Sequence, residues 1–323
     1  MKRLGVFTSG GDSPGMNAAI RAIVRTAMHH KLEVFGIYDG YEGMIDNSIE
    51  RLDHKSVANI IQKGGTFLRS SRSARFMTEE GRNKAYANLK ENGIEGLVAI
   101  GGDGTFKGAL EFSKEHEISV IGLPGTIDND LLGTDYTIGY DTCLNTIVEA
   151  VDKIRDTATS HNRLFVVEVM GKDAGFIALR SGIASGAEAV LFPETKTYMD
   201  QLLNKLEIGR RKSKTSGIII VAEGDDSGGA YVVSEEIKKK FPHFDVRVTI
   251  LGHIQRGGSP SAYDRVLASR LGFGAVHALL EGKRNVMLGI LSGNYAYTSF
   301  EKSLKHHQKI NPYLLNLIEI LSS

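Results

Sequence analysis

The feature that most constrains this chain is a repeated alternation of short apolar runs, glycine-containing polar turns and amphipathic stretches. Apolar runs predict strands at residues 4–8, 32–38, 96–100, 118–121, 164–170, 189–192, 217–222, 246–251 and 286–290. Apolar spacing predicts helices from residue 18 onward and at 56–63, 84–90, 106–116, 144–154, 174–184, 199–211, 234–240, 261–280 and 311–321. This βα alternation predicts an α/β fold with doubly wound, mainly parallel sheets.

The bulk composition limits the classes of protein that fit. A length of 323 residues predicts two domains, and 41% hydrophobic with 24% charged residues is typical of a globular protein. A net charge of +1 gives no overall field for nucleic acid or an anionic membrane, and no apolar run approaches the ~20 residues of a membrane span. The single cysteine, Cys143, excludes an intramolecular disulfide, lies in a stretch that predicts the core, and indicates a cytosolic setting.

The most informative stretch is Leu-Pro-Gly-Thr-Ile-Asp-Asn-Asp at residues 123–130. It directly follows the predicted strand at 118–121, and ligands of open α/β sheets bind beyond the carboxyl ends of strands. Asp128 and Asp130 lie two residues apart, so both side chains can face one side of an extended loop. One carboxylate can accept a proton and the other can help to hold hydrated Mg²⁺. The alternative is a loop whose short polar residues cap the next turn.

Other strand ends carry glycine-rich turns that suit anions. Segments 9–15 and 101–105 offer backbone N–H groups before a helix, and within them Asp103 can bind magnesium while Thr105 can cap the helix or donate to a phosphate. Segment 252–258 adds His253 and Arg256, a plausible phosphate clamp. Segment 64–75 carries three arginines among serines. Plain tight turns and a solvated charged loop remain the alternatives.

Together these motifs resemble the bacterial ATP-dependent 6-phosphofructokinase family over essentially the whole chain. The matching segments are Thr-Ser-Gly-Gly-Asp at 8–12, Gly-Gly-Asp-Gly-Thr at 101–105, the Asp128 loop, Met-Gly at 170–171, and residues 251–258. The resemblance implies an ATP-binding domain at 1–138 plus 252–301 and a fructose 6-phosphate-binding domain at 139–251 plus 302–323. It also implies a homotetramer whose active sites borrow residues from a neighbour.

The reaction that the resemblance implies moves the γ-phosphoryl of MgATP to the 1-hydroxyl of fructose 6-phosphate. Catalysis is assigned to Asp128 as the base, and to Thr126, Gly11, Arg72 and Lys172; Mg²⁺ is assigned to Asp103 and Asp130. ATP is assigned to Gly11, Tyr41, Arg72, Ser73, Gly102, Asp103, Gly104, Thr105 and Gly108. The sugar phosphate is assigned to Thr126, Ile127, Asp128, Met170, Gly171, Lys172, Glu223, His253, Ile254, Gln255 and Arg256, with Arg163 and Arg247 from the next subunit.

Two glycines indicate ATP as the donor. The pyrophosphate branch of the family places Asp where this chain has Gly104 and Lys where it has Gly125. A carboxylate at 104 would repel an α-phosphate. One departure concerns catalysis, because the family usually has Arg where this chain has Lys172. Lysine keeps the positive charge but lacks the planar guanidinium group, which can donate two parallel hydrogen bonds. We therefore expect a working but slower enzyme.

An effector site for ADP or phosphoenolpyruvate at a subunit interface is also implied. The matching residues are Arg21, Ala22, Ile23, Val24, Arg25, His54, Arg155, Gly186, Ala187, Glu188, Lys212 and Lys214. His54 stands where the family has arginine, with Lys55 beside it, so the strength of effector binding stays open. Histidine side chains take up a proton near neutral pH, which favours a pH-sensitive effector response.

Two rival classes of function are weighed against this interpretation. A lipid or NAD kinase shares the Gly-Gly-Asp-Gly turn but does not explain the Asp128 loop or the pair of His253 and Arg256. A non-catalytic regulatory paralogue predicts damage to Asp128 or Asp103, and both are intact.

Overall fold

The computed structural model describes residues 1–196, 199–211, 216–242, 244–305 and 309–321. The chain forms two compact units, one of Met1–Thr142 with Arg256–Gln308, and the other of Cys143–Gln255 with Lys309–Ser323. The chain thus passes between the units after residue 142, after residue 255 and after residue 308.

The first unit is built on a seven-stranded sheet in the order β11-β10-β5-β4-β1-β2-β3. Its strands are β1 (Arg3–Ser9), β2 (Glu33–Ile37), β3 (Ile49–Leu52), β4 (Gly96–Gly101), β5 (Ser119–Pro124), β10 (Val286–Leu291) and β11 (Asn294–Ser299). The inner strands are parallel, whereas β3 and β11 pair antiparallel at the two edges. The predicted, mainly parallel doubly wound sheet is therefore confirmed.

Both faces of this sheet are covered by helices. The helices are α1 (Met16–His29), α2 (Gly40–Ile45), α3 (Glu79–Glu91), α4 (Asp103–Glu115), α9 (Ala262–Leu280) and α10 (Phe300–Lys305). Successive residues of a strand enter different cores: Val98 packs with α1 and α9, and Leu97 packs with α2, α3 and α4. Helix α9 crosses α1 closely at Gly272, where a Cβ would lie 2.7 Å from the carbonyl oxygen of Ala19.

The second unit has a four-stranded parallel sheet in the order β7-β8-β6-β9. Its strands are β6 (Arg163–Val169), β7 (Ala189–Leu191), β8 (Gly217–Ala222) and β9 (Asp245–Ile250). Its helices are α5 (Tyr140–His161), which begins in the first unit, α6 (Phe176–Ser185), α7 (Met199–Arg211), α8 (Ala230–Lys240) and α11 (Pro312–Leu321). Helices α7 and α8 cover one face through a core that includes Val166, Ile219 and Val233.

The structure corrects one predicted element. Residues 56–63 contain turns rather than a helix. The carboxylate of Asp53 accepts the backbone N–H groups of Lys55 and Ser56 at 2.8 Å, which closes a tight turn there. Val57 and Ile60 are buried at helix-like spacing, which explains the wrong prediction. Within the described residues, no helix is both long and apolar enough to cross a membrane.

Candidate active site

Arg256, in the segment before α9, contacts the glycine loop that follows β1. A Cβ on Gly11 would lie 2.4 Å from Nη1 of Arg256, so the guanidinium rests directly on the glycine backbone. The same Nη1 donates a 3.4 Å hydrogen bond to the carbonyl of Asp12. Gly11, predicted at ATP, and Arg256, predicted at the sugar phosphate, are therefore neighbours within the first unit.

The segment at 64–75 is tied to the carboxyl end of β1. Thr8 Oγ1 donates to the Arg69 carbonyl at 2.8 Å, and Ser70 Oγ donates to the Gly10 carbonyl at 2.6 Å. These bonds hold the predicted anion-binding loop beside the glycine loop, at the edge of the sheet where ligands of α/β proteins bind.

The three arginines of this segment differ in their partners. Arg69 pairs with Asp39 at 2.6 Å, and Arg75 pairs with Glu42 at 2.5 Å and with Asp46. Arg72 is exposed and forms no ion pair among the described residues. Arg72 is therefore the arginine of this loop whose charge is available to an anionic ligand. The neighbouring Ser73 donates its hydroxyl to Glu42.

Tyr41 is buried beside α4. Its ring stacks on Phe76 with centroids 3.9 Å apart, and its hydroxyl donates to the Thr105 carbonyl at 2.6 Å. Burial raises the pKa of this phenol. A Cβ on Gly108 would lie 2.8 Å from Cε2 of Tyr41, so the ring packs here because position 108 is glycine. The predicted ATP residues Tyr41, Gly108 and Thr105 thus form one contact cluster.

Helix α4 begins earlier than expected, at Asp103, with Gly102 as its N-cap. Thr105 does not cap it: its hydroxyl donates to the Ser9 carbonyl at 2.9 Å, which ties the helix to the end of β1. Of the two roles predicted for Thr105, helix capping is therefore wrong, and donation to a phosphate stays a prediction. Because the N-cap residue is glycine, it has no side chain that could accept a hydrogen bond from the first N–H groups of α4. These N–H groups are therefore open to an anion.

Asp103 fits a hard cation. Its Oδ2 lies 2.7 Å from Nζ of Lys107, one helical turn later, whereas its buried Oδ1 has no hydrogen-bond partner among the described residues. A buried carboxylate oxygen normally has a partner, and Mg²⁺ or its water would supply one. No group of three or more metal-ligating side chains is found within the described residues. This pattern fits Mg²⁺ held by one or two carboxylates and a ligand's phosphates.

The Asp128 loop packs against the α4 loop. The Gly125 N–H donates to the Gly101 carbonyl at 2.9 Å, and a Cβ on Gly102 would lie 3.5 Å from Cβ of Thr126. Thr126 Oγ1 in turn accepts the Asp128 N–H at 3.2 Å. The predicted phosphate loop and the predicted catalytic loop are thus in contact within the first unit.

The two aspartates of this loop flank an inward-pointing residue. Asn129 is buried with φ 53°, and its Oδ1 accepts the Thr137 N–H at 2.7 Å. Asp128 and Asp130 on either side are only partly buried. Ile127 is buried in the protein, so a ligand would reach its backbone rather than its side chain. The fold therefore presents two carboxylates at the rim of the sheet and uses the amide between them as an anchor.

The second unit holds most of the predicted sugar-binding residues, and four of them directly follow β6 and β8. Oε1 of Glu223 accepts the backbone N–H groups of Gly171 at 3.3 Å and Lys172 at 2.7 Å. Gly171 and Lys172 have φ of 143° and 55°, conformations that rarely occur outside glycine. The Lys172 side chain is 63% exposed. Glu223 therefore fixes an unusual loop that presents a cation.

The turn after β9 is anchored by Gln255. Its side chain is fully buried, accepts the Met170 N–H at 3.1 Å and donates to the Gly252 carbonyl at 3.0 Å. His253 and Ile254 in the same turn are not buried, and Ile254 is 58% exposed. Gln255 thus joins two predicted substrate loops of the second unit, while the side chains beside it stay accessible.

Arg163 and Arg247 lie on the neighbouring strands β6 and β9 and share one partner. Nε of Arg163 lies 2.6 Å from Oδ2 of Asp245, and Nε of Arg247 lies 2.9 Å from its Oδ1. Their guanidinium groups lower the pKa of the Asp245 carboxyl, Arg163 most strongly. The two predicted phosphate-binding arginines are therefore brought together by a carboxylate.

The predicted effector residues are divided between the units. Arg21 and Arg25 lie on α1, and the pKa of Arg21 is lowered by partial burial and by the charge of Arg25. The neighbouring Ala22, Ile23 and Val24 belong to the same helix, and His54 is exposed in the turn region after β3. In the second unit, Nη2 of Arg155 donates to the carbonyls of Ser185 and Gly186 at the end of α6, next to Ala187 and Glu188. Lys212 and Lys214 lie outside the described residues.

Several residues that shape these segments were not predicted from the sequence. Lys107 could have been found from its i,i+4 spacing to Asp103. Asp245 directly precedes the strand predicted at 246–251, and its two-residue spacing to Arg247 could have indicated the pair. Asp264 had no local signal, because its carboxylate bonds Gly139 and Thr142, which are 125 and 122 residues away in the sequence.

The fold and its loops are those of an α/β protein that binds phosphorylated ligands at strand ends. The phosphofructokinase family pattern matches residues 3–279, and this chain belongs to the phosphofructokinase family. The chain is 56% identical over 322 residues to the ATP-dependent 6-phosphofructokinase 2 of Bacteroides thetaiotaomicron, and the match covers 100% of this chain and 99% of that protein. It is 55% identical over 322 residues to the ATP-dependent 6-phosphofructokinase 1 of Thermus thermophilus, with 100% of both chains covered.

A solved structure supports the same relationship. The phosphofructokinase of Saccharomyces cerevisiae superposes on this chain with a TM-score of 0.89 and 38% sequence identity. The match covers 100% of this chain and 47% of the yeast chain.

Proposed function

We propose that this chain is an ATP-dependent 6-phosphofructokinase, which moves the γ-phosphoryl of ATP to the 1-hydroxyl of fructose 6-phosphate and releases fructose 1,6-bisphosphate and ADP. The observation that carries the proposal is the end-to-end match at 54–56% identity to proteins of that name. The intact pair of contacting loops around Asp103 and Asp128 argues against a non-catalytic paralogue.

In this mechanism Asp128 accepts the proton of the sugar hydroxyl as it attacks the γ-phosphorus. Its partly buried carboxylate stands in a loop held by Asn129 and Thr126, which limits the motion of the base. Thr126 orients the transferring group. Phosphoryl transfer depends on alignment and on neutralisation of phosphate oxygens more than on covalent chemistry, so rigid loops at the strand ends suit it.

The negative charge of the phosphate oxygens is proposed to be neutralised by cations and backbone N–H groups along the nucleotide. Arg72 contributes a charge that no carboxylate of the described residues occupies, and the open N-terminus of α4 contributes N–H donors. Asp103, with Asp130, would hold Mg²⁺ through its buried oxygen. Mg²⁺ bound there would supply positive charge to the phosphate groups of the nucleotide. Lys172 carries the corresponding charge on the sugar side.

The glycines at 104 and 125 support ATP as the donor. A Cβ at Gly104 would meet no heavy atom within 4 Å, so this position is open space that a carboxylate would fill with negative charge. A Cβ at Gly125 would lie 2.9 Å from Ile100 and 3.1 Å from Met16, so a lysine there would require neighbouring side chains to shift. Position 104 therefore leaves room for a nucleotide, whereas position 125 is packed against the core and does not readily accept a lysine.

The sugar is proposed to be held by the loops of Met170, Gly171 and Glu223, and its 6-phosphate by His253 and Arg256. Arg163 and Arg247 are proposed to reach the same phosphate from the next subunit of a homotetramer.

ADP and phosphoenolpyruvate are proposed effectors at the site formed by Arg21, Arg155 and their neighbours. A cytosolic setting is supported by the single, buried cysteine.

The test is a coupled assay with MgATP and fructose 6-phosphate on the purified chain and on its Asp128→Ser variant. Loss of a general base acting in the transition state should lower kcat by about 10²–10⁴-fold with a smaller effect on ligand binding. Asp152→Ser, which changes an exposed carboxylate of α5, is the matched control and should retain activity. Wild-type turnover in Asp128→Ser would refute the assignment of the base, and an inactive wild-type chain would refute the proposed function.

A further inference from the structure

A single carboxylate sits between the two arginines that the proposed function assigns to the sugar phosphate. Asp245 opens β9, the edge strand of the four-stranded sheet, and its register partner on β6 is Arg163. Arg247 follows two residues later on β9, so all three side chains lie on one face of the sheet. This placement follows from the strand register and not from a flexible loop.

Both arginines use the same carboxylate as their ion-pair partner. Nε of Arg163 lies 2.6 Å from Oδ2 of Asp245; Nε of Arg247 lies 2.9 Å from Oδ1, and its Nη2 lies 3.2 Å from Oδ2. Among the described residues, neither arginine pairs with any other acid. Asp245 therefore spans the two guanidinium groups in the way that an oxyanion with several acceptor oxygens would.

The exposure of the three side chains leaves them accessible to a ligand. The side chains of Arg163, Asp245 and Arg247 are 28%, 41% and 54% exposed. Two guanidinium groups face one carboxylate, which leaves one positive charge of the cluster uncompensated. A phosphate group, with more charge and more acceptor oxygens than a carboxylate, is the kind of anion that competes for such a pair.

We propose that Asp245 is an internal counter-ion that occupies the phosphate-binding arginines when no substrate is bound, and that the 6-phosphate of the sugar displaces it on binding. This inference rests on the proposed function, because the latter assigns Arg163 and Arg247 to the phosphate. Asp245 holds the two guanidinium groups beside each other on one face of the sheet. It also weakens binding of the sugar phosphate, because the carboxylate must first give up its partners.

The direct test is Asp245→Asn, which keeps the shape of the side chain and removes its charge. Binding of fructose 6-phosphate, and separately of inorganic phosphate as the probe, is measured by calorimetry on the intact oligomer. Removal of one competing charge should tighten both dissociation constants by about two- to fivefold, the size expected for a partly exposed ion pair. The turnover number should stay within about twofold, because Asp245 takes no part in the chemistry.

Two further variants make the outcome specific. Asp152→Asn removes an exposed carboxylate on α5 and should leave both dissociation constants unchanged. When Arg163→Met and Arg247→Met are both present, adding Asp245→Asn should give no gain in phosphate affinity, because the gain depends on the released guanidinium groups. A gain that persists without both arginines contradicts the proposal.

The failure of this inference can be separated from the failure of the proposed function. If the wild-type chain neither binds nor phosphorylates fructose 6-phosphate, the proposed function fails. If the wild-type chain is active and Asp245→Asn binds phosphate with equal or lower affinity, Asp245 acts as a fixed scaffold for the arginines and the counter-ion proposal is wrong.

Discussion

Polar side chains around the candidate site mostly hold backbone groups in place. Glu223 accepts two N–H groups from the loop that contains Lys172, and Gln255 ties Met170 to the turn after β9. These bonds fix backbone segments that carry exposed side chains, such as Lys172 and Ile254. Rigid loops of this kind position reacting groups without moving during the reaction.

Lys172→Arg is the first prediction at this scale. The chain already places a cation at an exposed position with φ 55°, and arginine adds a planar fork that binds phosphate oxygens in pairs. We expect the variant to keep or raise kcat with fructose 6-phosphate, measured by the coupled assay. A clear fall in kcat would show that the role assigned to position 172 is wrong.

Gly11→Ala is the second prediction. The added Cβ would lie 2.4 Å from Nη1 of Arg256, so the guanidinium must move off the glycine loop. Since Arg256 is proposed at the sugar phosphate, KM for fructose 6-phosphate should rise by roughly tenfold along with KM for ATP. Gly257→Ala, whose Cβ would meet nothing within 4 Å, is the matched control. An unchanged KM for the sugar phosphate would argue that Arg256 does not serve it.

At the scale of elements, the N-terminus of α5 is held by a residue of α9. The Asp264 carboxylate is fully buried and accepts the N–H groups of Gly139 and Thr142, at 2.9 and 2.8 Å, as well as the Thr142 hydroxyl. Burial raises the pKa of this carboxyl from 3.8 to about 6 even though the hydrogen bonds oppose the shift. The start of the longest helix among the described residues therefore depends on a carboxylate that is costly to ionise.

This shift gives the third prediction, a pH dependence of stability with a defined sign. The folded state binds the proton more tightly than the unfolded chain, so this group's contribution to the free energy of unfolding grows as pH falls through about 6. Between pH 7 and pH 5 the wild type should gain about 1 kcal/mol relative to Asp264→Asn, measured by urea unfolding. A difference between the two proteins that does not change with pH would contradict the raised pKa.

The sequence predicted the buried strands well because their apolar runs are nearly continuous. It did not predict β3, Ile-Glu-Arg-Leu, or β11, Asn-Tyr-Ala-Tyr-Thr-Ser, because edge strands are partly exposed and carry polar residues. It also predicted a helix at 56–63 from two buried residues, although the Asp53 turn determines the structure there. Local side-chain bonds of this kind outweigh periodicity in short segments.

Much of the candidate site in the first unit could be predicted from its loops rather than from apolar runs. Strand-end loops are identified by glycines and short polar residues, and parallel strands bring those loops to one edge of the sheet. The roles of Asp264 and Asp245 depend on partners brought close by tertiary structure or strand register. The hydroxyl of Thr105 is likewise bound to the Ser9 carbonyl, a contact that no local pattern predicts.

At the scale of the whole molecule, the two units contain different sets of predicted site residues. The first contains Asp128, Asp103 and Arg256, and the second contains Glu223, Arg163 and Arg247. Each unit has its own parallel sheet and its own core. The proposed function further requires that Arg163 and Arg247 serve the active site of a neighbouring subunit.

Sharing of active sites gives the fourth prediction, a recovery of activity in mixed oligomers. Asp128→Ser lacks the base and Arg247→Met lacks a phosphate ligand, so each variant alone should be nearly inactive at low fructose 6-phosphate. In co-expressed hybrids, some sites combine an intact Asp128 from one subunit with an intact Arg247 from another. The coupled assay should then detect activity well above the sum of the two variants. No recovery in hybrids that are shown to form would contradict sharing between subunits.

The central claim is that this chain transfers a phosphoryl group from ATP to fructose 6-phosphate, and ³¹P NMR of the reaction tests it most directly. With purified protein, Mg²⁺ and fructose 6-phosphate, we predict that ATP is converted to ADP as fructose 1,6-bisphosphate appears, and that pyrophosphate in place of ATP gives little product. No bisphosphate from ATP, or faster formation from pyrophosphate, would contradict the account.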